Sequence, residues 1–282
     1  MTEGEAASTE AAGQGGRSNL LLRIAAALVM APLAIAMAYL GGWFWIGLVT
    51  LAAIGLYVEW LTVIGERRLS LVLSGVLVLL AAGWVEAEHF DAAYVSVLFV
   101  LGGAAAVFSS DRRGWAVAGM GYALAASIAS TMVRRDPASG FVALMFVLLV
   151  VWGTDIGGYF AGRLIGGPKL WPRVSPKKTW AGAVGGFAAS LGVAIGFALD
   201  GSGRTVSLVL LGAIMSVAAQ LGDLFESAIK RRFGVKDSSH LIPGHGGLMD
   251  RLDGFVAAIV LAAIFGFLRD GADGVGRGLM VW

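Results

Sequence analysis

Long apolar stretches separated by short polar connections make up most of the chain after residue 19. The stretches are continuous instead of alternating and are rich in Ala, Leu and Gly, a pattern that indicates helices and argues against strands. Most have the length of about 20 residues that a helix needs to cross a membrane. We therefore predict an all-α, polytopic integral membrane protein with about nine transmembrane helices.

The predicted spans share an uninterrupted apolar run and occupy, in chain order, Leu20–Leu40, Trp43–Ile64, Leu69–Val85, Ala92–Phe108, Trp115–Met132, Phe141–Ile165, Trp180–Leu199, Val206–Ile229 and Leu252–Leu268. Residues 1–19 are small, polar and acidic, which is typical of a disordered tail. We divide the rest into N-terminal transmembrane helices, residues 20–140, and a C-terminal transmembrane region, residues 141–282. That second region carries the two longest charged connections, residues 163–179 and 229–251.

Composition and charge agree with a membrane protein and predict its orientation. The chain is 57% hydrophobic and 14% charged, whereas soluble domains are about a quarter charged. It contains no cysteine, which excludes disulfides, thiol catalysis and Cys-bound zinc, and a net charge of +2 is too small to indicate a nucleic-acid partner. Fifteen of the 21 Lys and Arg residues lie on the tail and the even-numbered connections, and five lie on the opposite side. This bias predicts a cytoplasmic (inner) membrane protein whose N-terminus and polar loops face the cytoplasm and whose C-terminus lies outside.

The stretch Asp223–Gly254 is a dense polar island that holds five acidic and five basic residues. An ionised group near hydrocarbon costs several kcal/mol unless it is paired, hydrated or metal-bound. Asp223 follows a long apolar run, and Glu226 lies on the same helical face. Asp223 could snorkel to the interface or pair with Lys230, or it could serve a functional site, as intramembrane acids usually do. Glu59, in the second span, is expected to be an interhelical hydrogen-bond or ion-pair partner without a chemical role.

Asp250 and Asp253 begin the ninth predicted span with a spacing of i and i+3. They could simply stabilise the helix, because acids in a first turn interact favourably with the macrodipole. The preceding glycine-rich stretch Pro243–Gly247 offers backbone amides that can bind an anion beside a helix N-terminus. Facing carboxylates would repel a polyphosphate, so we predict a Mg²⁺ ion between acids and phosphates. His245 is then expected to contact phosphate or to support the ligands, since Mg²⁺ prefers oxygen.

The other polar connection places two ammonium groups and two hydroxyls, from Ser175, Lys177, Lys178 and Thr179, beside the predicted start of a helix. Lysines and helix N-termini suit phosphate groups. The alternative is a basic loop held by anionic lipid headgroups. Asp155 is a third acid within the apolar runs, and the glycines around it would let a backbone approach it closely.

Three stretches carry a resemblance to a known family: Ser227–Asp253, with spaced K-R, K-D, P-G-H-G-G and D-R-x-D elements, Gly153–Arg163 and Ser175–Trp180. The pattern resembles that of the phosphatidate cytidylyltransferases, also called CDP-diacylglycerol synthases. It is sharp from about residue 150 onward and only a matter of hydropathy before that. The resemblance implies that CTP and phosphatidic acid give CDP-diacylglycerol and pyrophosphate, in a dimeric, divalent-metal-dependent membrane enzyme of phospholipid biosynthesis.

The resemblance also implies roles for individual residues of the C-terminal catalytic region. A metal centre with Mg²⁺, and with a second site for a divalent ion or K⁺, is expected at the carboxylates Asp223 and Asp250, with the neighbouring acids Glu226 and Asp253. Catalytic contacts to phosphate are expected from Lys230, Arg231, Lys236, His245 and Arg251. Substrate binding is expected from Ser175, Lys177, Lys178, Thr179, Gly244, Gly246, Gly247 and Asp155.

One departure and two rival functions stay open. Many members of the family carry Glu where this chain has Ala181, so either that acid is dispensable or Glu226 or Asp155 covers its role. An ion-coupled carrier would also use acids in glycine-interrupted helices, such as Asp155 and Asp223, although the charges cluster on one side and no inverted repeat is visible. Another membrane CTP-dependent lipid transferase or kinase is the second rival; a kinase would make CDP instead of pyrophosphate.

Overall fold

The structure, a computed structural model, describes residues 29–88, 97, 100–104, 107, 110–239 and 246–282. Within these ranges the helices are α1 (Val29–Leu40), α2 (Gly42–Val63), α3 (Leu69–Glu88), α4 (Arg113–Arg135), α5 (Gly140–Leu164), α6 (Trp180–Leu199), α7 (Thr205–Arg232), α8 (Met249–Asp270) and α9 (Val275–Met280). Two short strands, β1 (Lys169–Trp171) and β2 (Ser175–Thr179), form an antiparallel hairpin between α5 and α6.

Seven of the described helices, α2 to α8, are long and apolar enough to cross a membrane. They confirm the prediction of a polytopic, helical membrane protein, and each coincides with a predicted span. The helix α1 covers the second half of the first predicted span, and the fourth predicted span falls mostly outside the described residues.

The charge bias predicted that the connections after the second, fourth, sixth and eighth spans share one side of the membrane. Their described residues lie together at one end of the bundle, which we call the site end. The Arg112 guanidinium, just before α4, donates to the Ile64 carbonyl after α2. The Trp60 indole N–H donates to the Trp115 carbonyl at 2.8 Å, and the ring of Trp115 packs edge-on against Phe233 after α7. Residues far apart in sequence therefore close the same end of the bundle.

The opposite end contains a helix that hydropathy did not predict. The short helix α9 follows the last predicted span and packs back against α8, and its residues Val275, Leu279 and Met280 are buried. Asp136 fixes this end because its carboxylate accepts hydrogen bonds from the backbone N–H groups of Ser139 at 2.7 Å and Arg277 at 3.2 Å. An isolated six-residue segment is too short to give a hydropathy signal of its own.

Glycines allow α5 and α6 to pack with their backbones close together. The helices meet along Gly157 and Gly158 on α5 and along Gly182 and Gly186 on α6, where a Cβ atom would meet the backbone of the other helix. A Cβ on Gly186, for example, would collide with the Thr154 carbonyl. This close approach, typical of small residues in membrane helices, aligns the start of α6 with the last turns of α5 and so positions the hairpin.

Candidate active site

A cavity of about 450 Å³ opens at the site end between α5, the hairpin, α6 and α7. Both signs of charge line it. Its acidic residues are Asp155 and Asp223, and its basic residues are Arg163, Lys177 and Lys178. The rest of the wall consists of polar neutral residues, glycines and two apolar residues, namely Thr154, Tyr159, Gln220, Thr179, Gly158, Gly162, Gly182, Leu170 and Ala183. Such a cavity is large enough for a small-molecule ligand and can bind negative charge on one side and a cation on the other.

Strand β2 of the hairpin places Lys177 and Lys178 in the cavity wall. The register pairs Lys169 with Thr179 and Trp171 with Ser175, so the end of β2 runs directly into α6. The Thr179 hydroxyl accepts a hydrogen bond from the Gly182 N–H at 3.1 Å and thereby caps α6. Lys178, one residue earlier, forms an ion pair with Asp223 across the cavity. The predicted loop is thus partly a β-hairpin, which joins the β2 lysines to α7.

A second charged cluster lies between α7 and α8. Lys230 is buried and forms ion pairs with Asp250 and with Glu226, whose Oε1 lies 2.9 Å from its Nζ. The Asp250 Oδ2 atom also accepts hydrogen bonds from the Ser238 N–H at 3.1 Å, the Ser238 hydroxyl at 3.0 Å and the Gly247 N–H at 3.0 Å. Asp250 therefore joins the two flanks of the connection between α7 and α8.

Glu59, from α2, holds the same connection from its other side. Its carboxylate accepts hydrogen bonds from the hydroxyls of Ser238 at 3.0 Å and Ser239 at 2.5 Å. It also accepts from the backbone N–H groups of Leu248 at 2.8 Å and Met249 at 2.7 Å. The expectation of an interhelical hydrogen bond is confirmed, because Met249 is the first residue of α8.

The carboxylate oxygens of the acidic residues are suitable ligands for a hard cation such as Mg²⁺. The carboxyl group of Asp253 lies within electrostatic range of those of Glu226 and Asp223. Adjacent carboxylates repel unless a proton or a cation lies between them. Glu226 Oε2 is a buried oxygen without a hydrogen-bond partner in the described part of the chain. As the side chains stand, however, no three His, Cys, Asp or Glu residues converge on one metal position within the described ranges.

The predicted site residues thus separate into groups. The structure brings Asp155, Lys177, Lys178, Thr179 and Asp223 together around the cavity. It brings Glu226, Lys230, Asp250, Asp253 and Gly247 together at the start of α8. Ser175, Arg231, Lys236, Gly246 and Arg251 do not line the cavity; Arg231, Lys236 and Arg251 are exposed, and Gly246 adopts a φ of +86° that favours glycine. Gly244 and His245 lie outside the described residues.

Several cavity residues were not singled out from the sequence. Arg163 and Tyr159 lie one turn apart near the end of α5, and the Arg163 guanidinium donates to the Tyr159 hydroxyl at 3.3 Å. Gln220, on α7, donates to the Ala183 carbonyl at 3.3 Å and so connects α7 with α6. The signal that could have found them is helical spacing, because Gln220 lies three residues before Asp223, and Arg163 lies eight residues after Asp155.

Comparison with known proteins identifies the family of this chain. Residues 21–268 match the model of the cytidylyltransferase family. The phosphatidate cytidylyltransferase of Brucella suis biovar 1 is 37% identical over 266 residues, which cover 88% of this chain and 94% of that protein. Those of Haemophilus influenzae and Bacillus subtilis are 43% identical over 139 residues and 44% identical over 126 residues, which cover 47% and 44% of this chain and 48% and 47% of the relatives. The chain belongs to the cytidylyltransferase family.

Proposed function

We propose that this protein is a phosphatidate cytidylyltransferase, which transfers CMP from CTP to phosphatidic acid and releases pyrophosphate. The observation that carries the proposal is the cavity in which Lys177, Lys178 and Arg163 face Asp155 and Asp223. Two substrates that each bear phosphate must approach one another, and only a site with several cations can hold both. The relatives named above carry the same activity in their names.

In the proposed reaction a phosphate oxygen of the lipid attacks the α-phosphorus of CTP. A new oxygen–phosphorus bond forms, the bond between the α-phosphorus and the bridging oxygen breaks, and pyrophosphate leaves with the electron pair. A phosphate at neutral pH is already largely deprotonated, so no general base is needed. Lys177, Lys178 and Arg163 bind and orient the phosphates, and most of the rate enhancement comes from positioning and charge neutralisation.

The second cluster supports the same chemistry from the start of α8. Lys230 is held between Glu226 and Asp250, so its ammonium group is fixed near the end of α7, about two helical turns beyond the cavity residue Asp223. Arg231, Lys236, Arg251 and His245 are the further phosphate contacts that we propose. Gly244, Gly246, Gly247 and Ser175 are the further substrate-binding residues that we propose.

We further propose that a Mg²⁺ ion binds at these acids, with Asp223 and Asp250 as its principal carboxylates and Glu226 and Asp253 beside them. When bound, it would neutralise charge on the attacking and leaving oxygens; a second site would take another divalent ion or K⁺. Asp223 and Asp250 each form an ion pair with a lysine. A cation at these carboxylates would therefore compete with Lys178 and Lys230 for the same negative charge.

Many members of the family carry Glu at the position of Ala181. The surroundings of Ala181 indicate which acid, Asp155 or Glu226, could take over the role of that Glu. Ala181 lies in the first turn of α6, next to the cavity wall formed by Gly182 and Ala183. Asp155 lines that same cavity, whereas Glu226 is paired with Lys230 in the second cluster. Of the two acids, Asp155 is the one that we propose covers the role.

The test of this function is pyrophosphate release by the purified protein in detergent with CTP, phosphatidic acid and Mg²⁺. Release that requires both substrates, together with CDP-diacylglycerol in the lipid extract, supports the proposal. Formation of CDP instead would support a CTP-dependent lipid kinase. Binding of a substrate that is released unchanged would support a carrier.

We also propose the finer membrane topology. The helix α3 leaves the site end, whereas Ser110 lies at the site end, where its hydroxyl donates to Glu66 at 3.0 Å. The chain has to return between them, which supports a fourth span and nine in all. The charge bias supports a cytoplasmic site end and an inner-membrane location. Reaction of cysteines introduced at Ser175 and Ser202 with a membrane-impermeant reagent, in right-side-out and inverted vesicles, tests this orientation.

A homodimer is the last element of the proposal. The helix α6 has only 17% of its span buried, the smallest share among the seven described spanning helices. Its exposed face carries Trp180, Val184, Ile195 and Leu199, which can face lipid or a second copy of the chain. The mass of the protein in detergent, measured by light scattering with the detergent contribution subtracted, distinguishes a monomer from a dimer.

A further inference from the structure

A buried carboxylate from the N-terminal half of the chain reaches the loop that carries most of the family signature. Glu59 lies on α2 and is 3% exposed. The four groups that donate to it lie on residues 238, 239, 248 and 249, which flank the glycine-rich part of the loop on both sides. Burial of a carboxylate inside a membrane protein costs free energy unless the group is hydrogen-bonded or paired. The four hydrogen bonds of Glu59 therefore offset this cost.

Glu59 caps α8 from another helix. The first N–H groups of a helix have no partner within that helix, and Leu248, the N-cap residue of α8, provides no side-chain cap. The two oxygens of Glu59 accept the N–H groups of Leu248 and Met249 instead. A negative charge at a helix N-terminus is also favoured by the helix dipole, so the start of α8 is fixed to α2.

Glu59 is also one hydrogen bond away from Asp250. The Ser238 hydroxyl lies 3.0 Å from Glu59 Oε2 and 3.0 Å from Asp250 Oδ2, so the two carboxylates share its one hydrogen. Gly247 packs closely against the same groups, because a Cβ at this position would stand 1.8 Å from the Ser238 hydroxyl oxygen and 2.7 Å from Glu59 Oε2. A displacement of Glu59 would therefore be transmitted to Asp250 through Ser238 and Gly247.

We propose that Glu59 is a positioning residue of the cytidylyltransferase site. It holds the two flanks of the signature loop against α2 and so sets the position of Asp250 and its partner Lys230. The inference rests on the proposed function and extends it to a residue in the half of the chain that carries no recognisable motif. Because small misplacements of reacting groups lower rates strongly, loss of Glu59 is expected to impair turnover more than binding.

The chain offers a matched control for this proposal. Glu86, on α3, is also 3% exposed and accepts hydrogen bonds from neutral hydroxyls, those of Ser127 at 3.2 Å and Thr131 at 2.5 Å. It lies at the end of the bundle opposite the site. Glu59→Gln and Glu86→Gln make the same isosteric substitution at equally buried positions, so their difference reports the contact with the signature loop.

The first experiment compares hydrogen–deuterium exchange and steady-state kinetics of the wild-type protein and both variants in detergent. Glu59→Gln is expected to speed exchange in peptides that cover residues 246–253 by at least about 10-fold and to lower kcat by about 10- to 100-fold, with a smaller change in KM for CTP. Glu86→Gln is expected to change neither. The proposal is overturned if the two variants behave alike. If the wild-type protein releases no pyrophosphate, the proposed function fails, whereas the exchange still decides whether Glu59 holds the loop.

A second variant covers the case in which Glu59→Gln does not fold. Ser238→Ala removes the hydroxyl bridge between Glu59 and Asp250 while keeping both carboxylates, and it is expected to lower kcat by about 10-fold. Where all variants fold, the effects of Glu59→Gln and Ser238→Ala should be non-additive, because both act on Asp250 by the same route. A wild-type kcat for Ser238→Ala, or two effects that simply multiply, would overturn the proposal.

Discussion

Lys178 of the hairpin forms an ion pair with Asp223 of α7, although 44 positions separate them in the sequence. The pair joins the stretch Ser175–Trp180 to the helix that leads into the stretch Ser227–Asp253. Both side chains are about two-thirds buried, with 27% and 31% of their surfaces exposed to the cavity. An ammonium group and a carboxylate held together in this way can separate to face a phosphate and a cation, respectively, when substrates bind.

Replacement of Asp223 by Asn removes the negative charge from the cavity and leaves Lys178 without its partner. We expect pyrophosphate release to fall by about 100-fold or more, since one preorganised electrostatic group at a reacting centre contributes that much. The measurement is initial-rate pyrophosphate release with both substrates saturating. Asp200→Asn, at the far end of α6, is the control and should retain the wild-type rate. Full activity of Asp223→Asn would show that the Asp223 carboxylate is not needed for the reaction.

Replacement of Lys178 by Gln should weaken the binding of phosphate groups. A hydrogen bond to a charged group contributes about 1.5–3 kcal/mol, so we expect kcat/KM for CTP to fall by about 10- to 100-fold. Lys169→Gln, on the neighbouring strand and outside the cavity wall, is the matched control. If both substitutions lower kcat/KM equally, the hairpin acts through its general charge, as a contact for anionic lipid would.

Removal of divalent ions tests the proposed metal. With excess EDTA we expect pyrophosphate release to be lost and to return on addition of Mg²⁺, because two phosphate-bearing substrates need charge neutralisation. The concentration of Mg²⁺ that restores half of the activity should rise in Asp250→Asn. Undiminished activity of the metal-free protein would exclude an essential divalent ion.

Close packing between α5 and α6 makes Gly186 sensitive to substitution. A Cβ at this position would collide with the Thr154 carbonyl, and a backbone atom cannot move away as a side chain can. We expect Gly186→Ala to destabilise the protein by about 1–3 kcal/mol, measured as a lower melting temperature in detergent. Gly192→Ala, on the same helix with open space beside it, should be neutral or slightly stabilising. Equal melting temperatures for the two variants would contradict this packing.

The hairpin and the helix α9 are the described elements that the sequence did not predict. Hydropathy reports segments that enter a membrane, and it identified α2 to α8 because each of them must satisfy its backbone hydrogen bonds internally. The strands Lys169–Trp171 and Ser175–Thr179 and the helix Val275–Met280 are short and carry no such constraint. Their conformations depend on the neighbours against which they pack, so no local pattern in the sequence specifies them.

The sequence by itself determined the helical membrane class of the protein and its family. Continuous apolar runs of about 20 residues indicate membrane helices. The spaced acids, lysines and glycines between residues 150 and 254 can be recognised because a given chemistry requires particular residue types. The tertiary structure decided which of these groups face one another. It separated the Lys178–Asp223 cavity from the Lys230–Asp250 cluster, and it brought Glu59 from α2 to the start of α8. Contacts between distant residues arise from helix packing, and the identity of a lone glutamate in an apolar run does not reveal its partners.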